Sequence, residues 1–594
     1  MAQLNYAQQE AVEEPGNCLV VACPGSGKTT LLVEKAAYIL ESNPDTKLVI
    51  TTFTKDASNS MLDKIKARIR KADTSRVMVG TFHGLSFKQL RQFGVIEKNI
   101  NILTEPEQML YAQRAAELSD MPPEIQENAM QIIEKARISL DYGSLEGNIA
   151  ALIKAYEGLT AQNKSIDFQD LVRLSVSAMR NGIDPLPCTH LFVDEFQDTD
   201  ALQYEWIKEY KRKGAVVTVV GDDDQSIFGW RHAMGYEGME GFLKEFGARK
   251  IVMDTNYRCR KEILDPSAKL IGHNKARMNK DLNAAKGNGG YITKVVLANS
   301  KEEAAEVVRV VRSNPGSWAV LARTNRRLNA IESTLCSSGV PYRRLGSKSL
   351  FDYHGAKIAL LLCKAANDNT KATGINHVLK WSGLSEATLT ALHTHLGNNL
   401  ASPGKDPKLF GMKFWLSEGV NEHEMKRYRE FLTMMNGWKA QISENNRETL
   451  VLNGIESWLE TACSNSRELE EAMLLIQTLR KLNGPLKNRI DLIEHSKRED
   501  TKTEEEKAQP QPVILTTLHG SKGLEWENVW IVGMEDGVVP SEQSTSVSEE
   551  RRLAYVGFTR AKERLVVSFS GDKTESPFLQ EAEIAVNENP GLNA

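Results

Sequence analysis

The stretch Leu19-Val20-Val21-Ala22-Cys23-Pro24-Gly25-Ser26-Gly27-Lys28-Thr29-Thr30 decides the fold, because an apolar run passes directly into a glycine-rich turn that closes on Gly-Lys-Thr. The apolar run reads as a buried strand and Thr29 to Leu40 as the helix after it. Between them lies a phosphate-binding loop. Gly25 and Gly27 let backbone N–H groups close around phosphates, Lys28 reaches the β- and γ-phosphates, and the Thr29 hydroxyl ligates Mg²⁺. The helix then points its positive end at the anion. Ala22 stands where the general pattern G-x-x-x-x-G-K-[ST] has its first glycine.

A nucleotide site also needs carboxylates, and Leu191-Phe192-Val193-Asp194-Glu195-Phe196-Gln197-Asp198 supplies them at the end of a second apolar strand. Asp194 is suited to hold Mg²⁺, and Glu195 to orient or deprotonate the attacking water. A third strand-to-turn unit, Ala215 to Arg231, ends in Gly221-Asp222-Asp223-Asp224-Gln225, where Gln225 is placed to sense the γ-phosphate. Phe228 and Trp230, two residues apart, are placed to project beyond the sheet edge. Three such units imply an α/β fold whose parallel sheet carries ligands at its strand C-terminal ends. The separation of Lys28 from Asp194 far exceeds the roughly 30 residues of a simple strand–helix–strand step, so something is inserted between them.

Composition sets the frame. A chain of 594 residues, 41% hydrophobic and 26% charged, is long enough for about four domains and ordinary for a soluble globular protein. The N-terminus has no basic region followed by an apolar one, and no apolar run of about 18 residues occurs, which together imply a soluble, cytoplasmic protein with no membrane partner. The seven cysteines form no C-x-x-C pair, so buried thiols are expected rather than zinc or disulfides. A net charge of −4 confines any nucleic-acid site to a local groove.

These motifs resemble one family, the UvrD/Rep/PcrA-like superfamily 1A helicases, which are ATP-driven motors on single-stranded DNA. Leu4-Asn5-Tyr6-Ala7-Gln8-Gln9 looks like the family's Q motif, in which Gln8 would read the adenine edge. The family's loop commonly has alanine at the position of Ala22, while Cys23 and Pro24 replace its usual Gly-Ala; the nucleotide cradle would then be Ala22, Cys23, Pro24, Gly25, Ser26, Gly27, Lys28, Thr29 and Thr30. Thr51 to Lys55 and Gly80-Thr81-Phe82-His83-Gly84 resemble the motifs that line the DNA path, which makes Phe53, Thr81 and His83 DNA-contact candidates with Phe228 and Trp230. Stacking suits a translocating motor because every base has a π-face. Asp254-Thr255-Asn256-Tyr257-Arg258 resembles motif IV, with Tyr257 stacking on adenine and Arg258 reaching the γ-phosphate. Val513 to Trp526 resembles motif V, which implies Glu525 near the ribose and His519 near DNA, and Glu550 to Lys562 resembles motif VI, with Arg560 as a second arginine finger.

The resemblance implies two RecA-like P-loop motor domains, residues 1–85 plus 161–254 and residues 255–355 plus 510–594, with mainly helical insertions at 86–160 and 356–509. Apolar residues at helical spacing over Glu105 to Ala136 and Glu422 to Trp438 agree with helical insertions. Glu499 to Pro512 reads as an exposed linker and Lys286 to Gly290 as a turn before another strand. ATP and Mg²⁺ would sit between the motors, with Lys28, Thr29, Asp194, Glu195 and Gln225 on one side and Arg258 and Arg560 on the other, so that hydrolysis requires closure.

The implied activity is ATP-dependent DNA unwinding with 3′ to 5′ movement, acting on single-stranded DNA and single-strand/duplex junctions in repair, recombination or replication, as a monomer or weakly self-associating protein. Two alternatives remain open at this stage. One is a translocase that strips proteins from DNA without sustained unwinding, and the other is a non-motor DNA-binding regulator. The short stretch after Lys562 reads as too small for an appended nuclease domain.

Overall fold

The computed structural model describes residues 4–138, 147–314, 316–367, 374–397, 400–401, 412–445, 447–496 and 511–585. The expected linker from Glu499 to Pro512 falls largely outside them. The chain divides into two compact units, Met1–Gly290 with Gln543–Thr559, and Tyr291–Glu542 with Arg560–Ala594.

In the first unit the strands are β1 (Cys18–Ala22), β2 (Leu48–Thr51), β3 (Val77–Gly80), β4 (Asn101–Ile102), β5 (Ser165–Ile166), β6 (His190–Val193), β7 (Val216–Gly221), β8 (Arg249–Met253), β9 (Thr255–Asn256) and β10 (Asn283–Ala284). Six of them form one parallel sheet in the order β3-β2-β6-β7-β1-β8. Every residue of β1 is buried, as a parallel strand covered on both faces demands. Its alternate residues serve two cores: Leu19 and Val21 pack with Trp206, Ile207 and Phe242, while Cys18, Val20 and Ala22 pack with Leu31, Leu32 and Ala36 of the helix Lys28–Ser42.

The expected helical stretch Glu105 to Ala136 is three helices, Glu105–Leu118, Pro123–Glu127 and Ala129–Arg137. The break follows from the chain itself: Asp120 takes a left-handed backbone, and Pro122-Pro123 cannot donate to a continuing helix. These helices and Gly147–Gln162 enclose a small core of their own around Ala115, Ile133, Leu152 and Tyr156.

The second unit holds β11 (Tyr291–Leu297), β12 (Trp318–Ala322), β13 (Tyr342–Arg344), β14 (Val513–Thr517), β15 (Trp526–Ile531) and β16 (Ala561–Ser570). They form another wholly parallel sheet, ordered β11-β16-β15-β12-β14-β13. Between β13 and β14 the chain leaves to build a helical body with a separate large core that includes Leu362, Trp415, Phe431, Trp458 and Leu475. The helix expected over Glu422 to Trp438 runs Glu422–Asn445.

Residues 255–290 pack with the first unit, whereas the sequence reading begins the second motor at 255. The Tyr257 N–H donates to the Gly25 carbonyl at 3.0 Å and the Asn256 amide to the Pro24 carbonyl at 2.6 Å, which ties this segment to the phosphate loop. Of the seven cysteines, Cys18, Cys23, Cys259 and Cys363 are buried and Cys188, Cys336 and Cys463 partly so. Among the described residues no helix is long and apolar enough to cross a membrane.

Candidate functional site

The C-terminal ends of β1, β6 and β7 converge on one place, as adjacent parallel strands must. From β1 comes the phosphate loop. Gly25 and Gly27 both have positive φ, and a Cβ on Gly25 would stand 2.6 Å from the Arg258 Cβ, so only glycine fits there. The helix Lys28–Ser42 has no side-chain cap at its N-terminus. By contrast, Asn5, Thr54, Thr81, Asp167 and Asp200 each cap their helices. An uncapped N-terminus behind two left-handed glycines, with a lysine at its first position, has the donor set that a polyphosphate needs.

From β6 come the acids. Lys28 Nζ lies 3.2 Å from Glu195 Oε1 and 3.3 Å from Oε2. Burial works against the Lys28 ammonium, but Glu195, Asp222 and Asp194 outweigh it and raise its pKa. Burial and then the neighbouring Glu195 push Asp194 up to about 7, against the pull of Lys28. Glu195 itself has φ +51, a left-handed conformation that costs a non-glycine residue on the order of 1–3 kcal/mol and turns its carboxylate back toward Lys28.

From β7 comes Gly221, where a Cβ would meet Gln197 Oε1 at 2.8 Å. This close approach lets Gln197 bridge the two strand ends. Its amide donates to Glu195 Oε2 at 2.6 Å, and its carbonyl accepts from the Asp222 N–H at 2.9 Å. Asp222 Oδ2 in turn accepts from the Gln225 amide at 2.5 Å. Asp222, Asp223 and Asp224 have carboxylate oxygens within 4.8 Å of one another, but Lys280 Nζ fills their centre, at 2.9, 2.7 and 2.8 Å from the three.

Gln8 lies against the loop, its amide donating to the Ser26 carbonyl at 2.9 Å and its carbonyl accepting from the Asn5 N–H in a capping box. Asn5 also donates to the Tyr257 hydroxyl at 2.9 Å. Arg258 donates to the Thr559 carbonyl at 3.1 Å.

Phe53, after β2, and Phe228 and Trp230, beyond β7, form an aromatic row. Phe53 and Phe228 stack with centroids 5.2 Å apart and planes 9° apart, Trp230 meets Phe228 edge-on at 6.3 Å, and the Arg231 guanidinium covers Trp230 at 4.6 Å. Phe53 is 38% and Trp230 61% exposed. Thr81 accepts from the Gly84 N–H as a helix cap, and the neighbouring His83 packs edge-on to Phe168 while burial lowers its pKa.

In the second unit His519 opens a short turn after β14. The exposed Glu525 pairs with Lys562 at 2.8 Å. Arg560 is buried and donates to the Leu524 carbonyl at 3.1 Å. Gln197 and Asp222, read in the sequence only as parts of their stretches, and Arg277 and Lys280, which carry no local signal, are bonded to Glu195, to Gln225 or to the acids beside them.

Residues 4–246 match the model of the UvrD/REP helicase N-terminal domain, and residues 251–572 match that of the UvrD-like helicase C-terminal domain. The chain belongs to the UvrD/Rep helicase family. It is 28% identical to DNA helicase II of Escherichia coli K12 over 96% of this chain and 84% of that protein. It is 27% identical to the ATP-dependent DNA helicase Rep of the same organism over 96% and 92%. With the ATP-dependent DNA helicase PcrA of Staphylococcus epidermidis it shares 27% over 95% and 83%. The loop at Lys28, the acids at Asp194 and Glu195 and the turn at Gln225 all lie within the matched N-terminal range and in the first unit.

Proposed function

We propose that this protein is an ATP-dependent DNA helicase that moves along single-stranded DNA in the 3′ to 5′ direction and opens duplex at junctions. The observation that carries the reading is the continuity from phosphate loop to aromatic row: Lys28 meets Glu195, Glu195 bonds Gln197, Gln197 bonds Asp222, and Asp222 bonds Gln225, three residues before Phe228. Groups that would feel the γ-phosphate therefore share one turn with groups that would hold bases.

ATP with Mg²⁺, when bound, would supply the transferable γ-phosphoryl group, the metal withdrawing charge from its oxygens. Lys28 and the N–H groups of the loop would bind the phosphates, Thr29 and Asp194 would hold the metal, and Glu195 would accept the proton of the attacking water at its carboxylate. Phosphate arriving at Lys28 competes with Glu195 for the ammonium, which releases the carboxylate for that task. Arg258, packed on Gly25, is suited to neutralise charge on the transferring group, and the resemblance of motif VI adds Arg560. Tyr257, Gln8 and Glu525 are assigned to the nucleoside on the same resemblance, and Thr81, His83 and His519 to DNA. The four-part division into motors 1–85 plus 161–254 and 255–355 plus 510–594, with insertions 86–160 and 356–509, belongs to this proposal, as does a monomeric or weakly self-associating state.

A strand-displacement assay on duplexes with 3′ or 5′ single-stranded overhangs tests it. ATP-dependent release from the 3′-tailed substrate is expected. Translocation without release would favour a protein-stripping translocase, and the absence of DNA-stimulated ATP hydrolysis would leave only a DNA-binding role.

A further inference from the structure

Behind the nucleotide-facing turn lies a buried ion cluster of which the steps above use only Asp222. Asp222, Asp223 and Asp224 follow one another out of β7, and all three are fully buried. Three adjacent carboxylates away from water repel one another and are stable only with cations among them. Lys280 supplies one: its side chain has no exposed surface, and its three N–H groups face three acceptors at 2.7 to 2.9 Å. Arg277 supplies the other with a two-pronged grip on Asp224, Nε to Oδ1 at 3.0 Å and Nη2 to Oδ2 at 2.7 Å. The Met278 N–H adds a bond to Asp223 Oδ2 at 2.7 Å. These donors come from the segment between the helix Lys261–Gly272 and β10, far from the turn in sequence.

We infer that Lys280, assisted by Arg277, is a positioning residue for hydrolysis, fixing the Asp222 to Gln225 turn so that Glu195 and Gln225 are held in register. The inference rests on the reading of this site as an ATPase. The reason is directional: Lys280 holds Asp222 Oδ1, leaving Oδ2 for the Gln225 amide, while the backbone N–H of the same residue holds Gln197 against Glu195. With the ammonium gone, Asp222 Oδ1 keeps its 3.2 Å bond from the Asp224 N–H, but repulsion among the three carboxylates shifts the turn itself, so that both the Asp222 N–H behind Gln197 and the Gln225 amide lose their reference point. Lys280 touches neither, so its effect passes through Asp222.

Three full-length proteins test this: wild type, Lys280→Met, and Lys280→Met with Asp223→Asn, the last removing one buried negative charge along with the positive one. Thermal unfolding, the stoichiometry of a fluorescent ATP analogue, and ATP hydrolysis with single-stranded DNA are measured for each. Lys280→Met should lower kcat per bound nucleotide by about 10- to 100-fold, the scale of a small misplacement of reacting groups. The double variant should regain thermal stability without regaining kcat, and it decides the matter if Lys280→Met does not fold. Wild-type kcat per bound nucleotide in Lys280→Met, or recovery of kcat together with stability in the double variant, would overturn the inference and reduce Lys280 to a packing charge. A wild-type protein that shows no DNA-stimulated hydrolysis would instead overturn the ATPase reading.

Discussion

Lys28 and Glu195 form an ion pair, Nζ to Oε1 at 3.2 Å, between the residue expected to bind the γ-phosphate and the one expected to activate water. Each restrains the other until phosphate intervenes. Glu195→Gln should therefore cut kcat by about 10²- to 10⁴-fold, the usual contribution of a positioned base, while nucleotide affinity holds or tightens because a neutral amide competes less for the ammonium. Lys28→Ala should weaken nucleotide binding itself. Steady-state hydrolysis with single-stranded DNA and an equilibrium nucleotide titration separate the two, and an affinity loss in Glu195→Gln that matches its rate loss would make Glu195 a binding group.

Trp230 lies at the open end of the aromatic row, 61% exposed, with Phe228 and Phe53 behind it. Trp230→Ala should weaken single-stranded DNA binding by about 1–3 kcal/mol, the range for one stacked base. Translocation should fall more than basal hydrolysis, because the ring lies outside the chain of bonds from Glu195 to Gln225. Fluorescence anisotropy with an oligonucleotide and a stopped-flow translocation assay read the two effects. Equal loss of both would make Trp230 a packing residue.

The strands β1, β6 and β7 were legible because each is an apolar run that ends in glycine or acid, a local signal. The helical spacing over Glu105 to Ala136 and Glu422 to Trp438 was legible too, but the break at Pro122-Pro123 was lost in a regular apolar spacing that continued on both sides of it. Arg258 could be named from its tripeptide, yet its contact with Gly25 could not, since nothing local records which backbone will pass a given turn. Lys280 and Arg277 left no signal at all. Their acidic partners are visible as a run, but ion pairing across more than 50 residues follows no period, and a buried lysine looks in sequence like any surface one.

Arg137 joins the helical insertion to the chain that returns from it. Its side chain is fully buried and donates to Asp167 Oδ2 at 2.7 Å and to Asp170, while the Tyr156 hydroxyl donates to the same Asp167 oxygen at 3.1 Å. Asp167 and Asp170 form the capping box of the helix Phe168–Arg180. Arg137→Met would leave those carboxylates without their principal buried cation, and a buried pair broken on one side costs about 3–5 kcal/mol. Denaturant unfolding should show this loss. Arg137→Lys should recover only part of it, because a single ammonium cannot reproduce the fork that reaches both acids.

Asp200 caps the helix Ala201–Arg212, accepting from the Gln203 N–H at 2.8 Å. Burial pushes its pKa from 3.8 up to about 6, with the backbone N–H groups of Gln203 and Leu202 opposing. Between the unfolded value of about 3.9 and about 6, the folded chain then binds more protons at this carboxyl than the unfolded chain does. Its contribution to stability is full below the lower value and is lost as pH rises through the upper one. Asparagine caps as well as aspartate and has no proton to lose, so Asp200→Asn should be more stable than wild type at pH 8 by on the order of 1–2 kcal/mol. The gap should close as the pH falls below about 4, where both side chains are neutral. Melting temperatures of the two proteins across that range test it, and a gap that does not narrow on acidification would mean that the partly buried charge of Asp200 is not what the substitution relieves.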